Sequence, residues 1–278
     1  MSSSEQIKEL VKEKYSAIAL QTKAQNETSC CGVEGCGTVD YTVFSENYEA
    51  LQGYTPSADL GLGCGLPTEF AQIKPGDTVV DLGSGAGNDC FVARAIVGPT
   101  GKVIGIDMTE RMIEKARDNA DALGFQNVEF RLGDIEKLPV AANKADVVVS
   151  NCVLNLVPDK VKALRETFRI LKPGGHFSIS DVVVKGHMPE AMRQDAELYA
   201  GCVAGALTME EYLQIIREAG FVEVSIQKEK RIQLPEDSIR HIQTAKEVIE
   251  QEEFGIYSIT VYGLKPAAMA CAPGEGCC

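Results

Sequence analysis

The sequence predicts an α/β protein: a mostly parallel, seven-stranded sheet covered on both faces by helices. Three observations carry this. From Asp77 onward, short and nearly continuous apolar segments alternate with amphipathic helical ones. A glycine-rich turn, Gly83-Ser-Gly-Ala-Gly87, joins the first such strand to its helix. An acidic residue, Asp107, ends the strand that follows.

The elements are justified in order. Residues 1–21 form an amphipathic helix, with Ser2 and Glu5 as a capping box and Ile7, Leu10, Val11, Tyr15 and Ile18 on the helical period. Residues 22–60 are Gly- and polar-rich, carry Cys30, Cys31 and Cys36, and read as a long loop with short helices that closes as a lid. Thr78–Leu82 is a strand, followed by a helix through Phe91, Val92, Ala95 and Ile96. Lys102–Asp107 is the next strand, and Thr109 caps a helix through Met112, Ala116 and Ala120. Val128–Arg131 and Ala145–Asn151 are strands, and a helix over 159–171 stops at Lys172-Pro-Gly-Gly175. His176–Val182 is the fifth strand. A helical insertion follows around 189–204, then a helix over 209–219 opened by a Thr208/Glu211 capping box. Strands Val222–Ile226 and Tyr257–Tyr262 complete the sheet, the last one antiparallel; Lys246–Glu253 reads as a solvated helix face. The chain thus divides into an N-terminal helix and cysteine-bearing lid (1–60), an α/β domain (61–265) and a flexible Cys-rich tail (266–278).

Composition excludes several classes. Hydrophobic residues make up 45% and charged residues 24%, so the chain is globular rather than disordered. A formal charge of −13 and a pI near 4.8 argue against a nucleic-acid backbone or an anionic membrane surface as partner. The N-terminus lacks the basic and apolar regions of a secretory signal, and the uncharged stretch Leu198–Met209 falls short of the ~20 residues of a span, so a cytoplasmic protein is expected. There are 10 cysteines and no tryptophan, and in a reducing compartment that many thiols point to metal or redox chemistry.

Asp81-Leu-Gly83-Ser84-Gly85-Ala-Gly87 sits between strand and helix, where glycines allow a tight turn and close approach of a ligand to the backbone. Asp107, 20 residues after Gly87, is placed to accept hydrogen bonds from ribose hydroxyls. Asp81 is ill suited to a dinucleotide pyrophosphate and well suited to a ligand with a cationic amine, such as S-adenosylmethionine. Gly133-Asp134-Ile135 follows the third strand, and Ser150-Asn151 ends the fourth. Together with Lys172-Pro-Gly-Gly175 these features resemble the class I S-adenosylmethionine methyltransferases over about residues 70–185, a Rossmann-like fold.

Methyl transfer to oxygen or nitrogen usually needs a general base, and none stands out among the scattered His176, His187 and His241. Cysteines occupy the informative places instead. Cys64 lies in the turn Leu62-Gly-Cys-Gly-Leu-Pro67, Cys152 follows the fourth strand, Cys202 lies in Tyr199-Ala-Gly-Cys-Val203, and Cys30 and Cys31 lie in the lid; Cys90, inside the first helix after the glycine turn, reads as core. Their wide separations match no zinc-finger spacing, so they converge only through the fold. Soft thiolates without histidine favour a thiophilic centre such as trivalent arsenic, whose lone pair can take a methyl group without a base.

The chain resembles the arsenite methyltransferases, closely at Leu62-Gly-Cys64-Gly and Asn151-Cys152-Val-Leu-Asn155, more loosely at Gly201-Cys202 and Thr28-Ser-Cys30-Cys31. The resemblance implies arsenite held by Cys64, Cys152 and Cys202, with Cys30 as a further functional thiol. It implies S-adenosylmethionine bound by Asp81, Gly83, Ser84, Gly85, Gly87, Asp107, Met108, Asp134, Ile135 and Asn151. It implies methylated arsenicals as products, and a disulfide involving Cys30 and Cys64 that a dithiol such as thioredoxin re-reduces. Cys271, Cys277 and Cys278 in the tail are accessory candidates for arsenic capture. Two other readings compete: a methyltransferase of a small organic molecule, and a thiol-rich metalloid-binding protein that does no chemistry.

Overall fold

A computed structural model describes residues 4–28, 46–186, 188, 203–232 and 254–267. Its elements are α1 (Ser4–Ala19), α2 (Lys23–Thr28), α3 (Pro67–Phe70), β1 (Thr78–Leu82), α4 (Asn88–Val97), β2 (Lys102–Asp107), α5 (Glu110–Ala122), β3 (Val128–Leu132) and β4 (Ala145–Asn151). A 3₁₀ turn over Leu154–Leu156 follows, then α6 (Lys160–Ile170), β5 (Leu171–Gly186), α7 (Met209–Glu218), β6 (Val222–Ile232) and β7 (Phe254–Leu264). The strands form one seven-stranded sheet in the order β3-β2-β1-β4-β5-β7-β6. The pairs among β1 to β5 are parallel, and β7 runs antiparallel to both β5 and β6.

The alternation of strand side chains separates two cores. Val79, Val103, Val147 and Val149 pack with Phe91, Met112 and Ala116 under α4 and α5. Their neighbours Val80, Ile104 and Val148 face the other way, against Ala163, Leu164, Tyr212 and Ile216 of α6 and α7. β4, with paired strands on both sides and β-branched valines at its centre, is buried almost throughout. The end of α1 is tied to α5 by the Lys115 ammonium, which donates to Ala19 O at 2.9 Å and Gln21 O at 3.1 Å.

Several expectations shift. Lys172-Pro-Gly-Gly175 does not simply stop a helix: it is an excursion inside β5, between Leu171, opposite Ala145, and His176, opposite Val147. Thr109 holds the N-cap position of α5, yet its hydroxyl caps nothing; its backbone N–H instead donates to Asp107 at 2.8 Å. The Thr208/Glu211 capping box is present as expected. β5, β6 and β7 all run longer than their apolar segments suggest, because antiparallel pairing carries the ribbon past the core. Val203 and Ala204 lie in a bend and turn, not a helix; the rest of the helical insertion, Ser2 of the first capping box, Lys246–Glu253, most of the tail, His187 and His241 lie outside the described residues.

Phe177 of β5 is fully buried and meets Phe221 edge-on at 4.7 Å between ring centroids, over Gly263. Phe177→Ala is expected to destabilise the fold by about 3–5 kcal/mol, the usual cost of an aromatic cavity, read from urea denaturation.

Candidate active site

The glycine turn is built against the end of β2. The N–H groups of Gly83 and Ser84 both donate to Ile106 O, at 2.7 and 2.9 Å. Gly85, with φ of 51°, donates its N–H to Asp107 Oδ2 at 3.0 Å. A cavity opens beside this turn. Its wall includes Asp81, Gly83, Ser84, Gly85, Asn88, Asp89, Asp107, Met108, Asp134, Ile135, Asn151 and Cys152, with Lys8, Val11 and Tyr15 of α1 across from them. Two of its polar atoms, Ser84 Oγ and Asn88 Oδ1, are buried without a hydrogen-bond partner in the protein. A Cβ on Gly85 would meet no protein atom within 4 Å, so the turn leaves a cradle there. Orphaned polar atoms and an open backbone cradle fit a polar ligand.

The floor is acidic. Asp81 and Asp89 are 2% and 8% exposed. Among the described residues, no lysine or arginine pairs with either of them or with Asp107. Burial, then the charge of Asp89, pushes Asp81 well above the usual carboxylate range, although the Cys90 thiol donates to it at 3.2 Å. Burial likewise pushes Asp89 up to about 6, against hydrogen bonds from Asn151 and Tyr48. Asp107 is raised by burial, opposed by the N–H groups of Thr109 and Gly85. Such a floor favours a cation arriving from outside. The rim differs: Asp134 pairs with the Lys8 ammonium at 2.6 Å, and Glu136 with the same group at 2.9 Å. For Asp134 these contacts outweigh desolvation and hold its carboxyl low.

Cys64 and Cys152 converge. Their sulfurs and a carboxylate oxygen of Asp181 all lie within 4.8 Å of one another, and all three residues are buried. Asn151, at the end of β4, makes the meeting possible. Its Oδ1 accepts from Cys64 N–H at 2.9 Å, and its Nδ2 donates to Gly65 O at 2.9 Å. Gly63 and Gly65 are needed for this approach, since a Cβ would stand 2.6 Å from Asn151 Nδ2 or 2.5 Å from Ser180 Oγ. Cys152 itself has a left-handed backbone, φ 59°, and its N–H donates to Ser180 O at 2.8 Å. A non-glycine residue in this region stores strain, as residues at functional sites often do.

All the expected cofactor residues but Gly87 therefore line one cavity; Gly87 instead holds the left-handed N-cap position of α4, packed against Phe91 and Phe130. Two of the four expected functional thiols meet beside the cavity, Cys152 lining it and Cys64 following Gly63 of its wall. Cys30 and Cys202 lie outside the described residues, as do Cys31, Cys36 and the tail cysteines. Cys90 is fully buried as expected, with a role the sequence reading missed, its hydrogen bond to Asp81. His176 is structural, its Nε2 lying 2.7 Å from Ala71 O. Sequence reasoning also missed Asp89, Tyr48, Lys8 and Asp181. The signal for Asp181 was an acidic residue within the apolar strand Ile179-Ser-Asp-Val-Val. Burial pushes its carboxyl up to about 7, so a side chain that titrates near neutrality does stand beside the thiols.

Comparison with known proteins gives the class. A methyltransferase-domain family matches residues 73–220, and the chain belongs to that family. Arsenite methyltransferases are among its relatives. That of Halobacterium salinarum is 46% identical over 235 residues, covering 80% of this chain and 59% of the relative. The human arsenite methyltransferase is 41% identical, covering 67% of this chain and 52% of its own. Among solved structures, CrArsM, an arsenic(III) S-adenosylmethionine methyltransferase from Chlamydomonas reinhardtii, superposes with a TM-score of 0.63 at 36% identity, covering 77% of this chain and 69% of that one. The chain spans between half and three-fifths of the length of the two curated relatives.

The buried acids give a pH dependence. Asp89 and Asp181 have folded values of about 6 and about 7, above their ordinary 3.8. A carboxyl raised by folding favours the folded state fully below its unfolded value, and this is lost as pH rises through the folded value. Glu129, held down to about 2 by hydrogen bonds from Arg131 and Lys102, titrates below that window. The ligand-free protein is expected to melt at a higher temperature near pH ~5 than near pH ~8, with Asp181→Asn narrowing the gap. Melting temperatures that rise across this range would contradict it.

Proposed function

We propose that the chain binds S-adenosylmethionine in the cavity and methylates trivalent arsenic held by cysteine thiolates. The convergence of Cys64 and Cys152 at the edge of the cavity carries this reading. Asp107 would hold the ribose hydroxyls, Asp81 and Asp89 would face the ammonium group, and Asp134 and Ile135 would lie at the adenine end. When bound, the cofactor supplies a sulfonium methyl, which the arsenic lone pair takes up.

Cys64 and Cys152 each exchange a thiol for a hydroxyl of arsenite, and the thiol proton leaves with that hydroxyl as water. Both thiols are buried, so the bound arsenic is shielded from solvent, and its thiolates are fixed by the Asn151 contacts and the Cys152 backbone. Cys202 would be a third thiolate, and Cys30 would work with Cys64 in returning electrons through a disulfide reduced by thioredoxin or another dithiol. Residues 1–60 would act as the lid, in part through Lys8, Val11 and Tyr15, which already line the cavity. The domain 61–265 would do the chemistry, and the tail would capture arsenic. Among the described residues no helix is long and apolar enough to cross a membrane, which supports a cytoplasmic setting.

The test is methyl transfer from labelled cofactor with and without arsenite. Cys64→Ser and Cys152→Ser are each expected to abolish arsenite-dependent transfer with cofactor affinity near wild type, because a serine hydroxyl is a hard ligand that cannot replace a thiolate on a soft centre. Wild-type turnover in Cys152→Ser, or transfer that ignores arsenite, would redirect the assignment to an organic acceptor. Asp107→Ala is expected to weaken cofactor binding by about 1.5–3 kcal/mol, the worth of charged hydrogen bonds, as read by calorimetry.

A further inference from the structure

Asp81 and Asp89 both line the cavity, but they are held unequally. Asp89 accepts from the Tyr48 hydroxyl and from Asn151 Nδ2. Among the described residues, Asp81 accepts from one group, the Cys90 thiol at 3.2 Å. The placement follows from the sequence. Strand alternation turns Asp81 to the same face of β1 as Val79, the face that α4 covers. Gly87 ends the glycine turn with φ of 99°, and Cys90 follows in the first turn of α4. Cys90 is fully buried in the core that holds Val79, Ala86 and Phe91, so it supports the carboxylate from outside the cavity wall. It also stands apart from the cluster of Cys64 and Cys152. Burial pushes the Cys90 thiol well above its ordinary value, so the sulfur keeps the proton it donates.

We infer, resting on the placement of the cofactor ammonium over Asp81 and Asp89, that Cys90 is a positioning residue of the cofactor site: its thiol holds one oxygen of the Asp81 carboxylate and leaves the other for the ammonium. A lysine or arginine in this place would also hold the carboxylate, but it would cancel the negative charge that a cationic ligand needs. A thiol is a weak and neutral donor, so it fixes the direction of the carboxylate and leaves its charge. It is also apolar enough for a hydrophobic core, where an amide would demand further partners. With fewer donors than Asp89, Asp81 is the acceptor that gains more from the ammonium. Ser84 Oγ and Asn88 Oδ1, buried and without partners in the protein, lie between Asp81 and Cys90 in sequence and line the same wall, which marks this stretch as built for a ligand. Cys90 therefore serves the cofactor and not the arsenic, and its effect is confined to the amino-acid end of the cofactor.

Calorimetry of the full, reduced chain with two ligands tests this. S-Adenosylhomocysteine carries the ammonium. 5′-Methylthioadenosine keeps the adenine, the ribose and the thioether but lacks the amino-acid end. Cys90→Ala is expected to weaken S-adenosylhomocysteine by about three- to tenfold, the range of an ordinary hydrogen bond, and 5′-methylthioadenosine by less than about twofold. Cys90→Ser, which keeps a donor, is expected to stay within about twofold of wild type for both. Cys90→Val, which fills the position without a donor, gives the same reading if the alanine cavity unfolds the chain. Equal losses for both ligands would overturn the inference, since Cys90 would then only pack α4 on the sheet. Unchanged affinity for S-adenosylhomocysteine in Cys90→Ala would overturn it too. Asp81→Asn is expected to lose more affinity for S-adenosylhomocysteine than Cys90→Ala does, again sparing 5′-methylthioadenosine. If Asp81→Asn loses that affinity and Cys90→Ala does not, the placement of the ammonium stands and the inference alone falls. If Asp81→Asn binds S-adenosylhomocysteine as the wild type does, the placement over Asp81 falls and takes the inference with it.

Discussion

The side chain of Asn151 ties the two halves of the site together. A single amide at the end of β4 accepts from the Cys64 backbone and donates to Gly65 O, to the Tyr48 hydroxyl and to Asp89. The loop that carries one thiol is thereby locked to the strand that carries the other. The same amide reaches into the acidic floor, so the floor of the cavity and the thiol pair share one anchor. All of these groups are buried or partly buried, where a missing partner costs more than a made bond gains. Close backbone approach at Gly63 and Gly65 is the steric condition for it.

Charge is distributed unevenly around the cavity. Among the described residues, Asp81 and Asp89 lie beneath it without a cation, while Asp134 and Glu136 at the rim share Lys8 from α1. The floor is thus electrostatically unfinished, whereas the rim is already closed by a residue of the N-terminal helix. On the proposed reading, in which Asp134 lies at the adenine end, cofactor binding would require Lys8 to give up or share Asp134.

Most of the fold was legible in the sequence. The glycine turn between β1 and α4, Asp107 at the end of β2 and the valine run of β4 are local signals of period and turn chemistry, and they stand where their residues placed them. The ends of β5, β6 and β7 were not legible, since Gln227-Lys-Glu-Lys-Arg231 is held in a strand by its partner and not by its own apolar pattern. The meeting of Cys64 and Cys152 could be expected only from family resemblance, because nothing in their spacing specifies a distance. Asp181, Asp89 and Tyr48 were invisible for a related reason: each gains its character from burial beside groups remote in sequence. Asn151 was read as a cofactor residue from its place at the strand end. It does line the cavity, but its hydrogen bonds go to protein.

The left-handed backbone of Cys152 sets the protein's durability against its chemistry. Glycine or asparagine would occupy that conformation with less strain, a difference on the order of 1 kcal/mol or more. On the arsenite reading, the residue that suits the backbone best is therefore one that could not serve as the arsenic ligand. A selection for heat resistance alone would drift toward losing this thiol, and the more tolerant protein it returned would be an inert one.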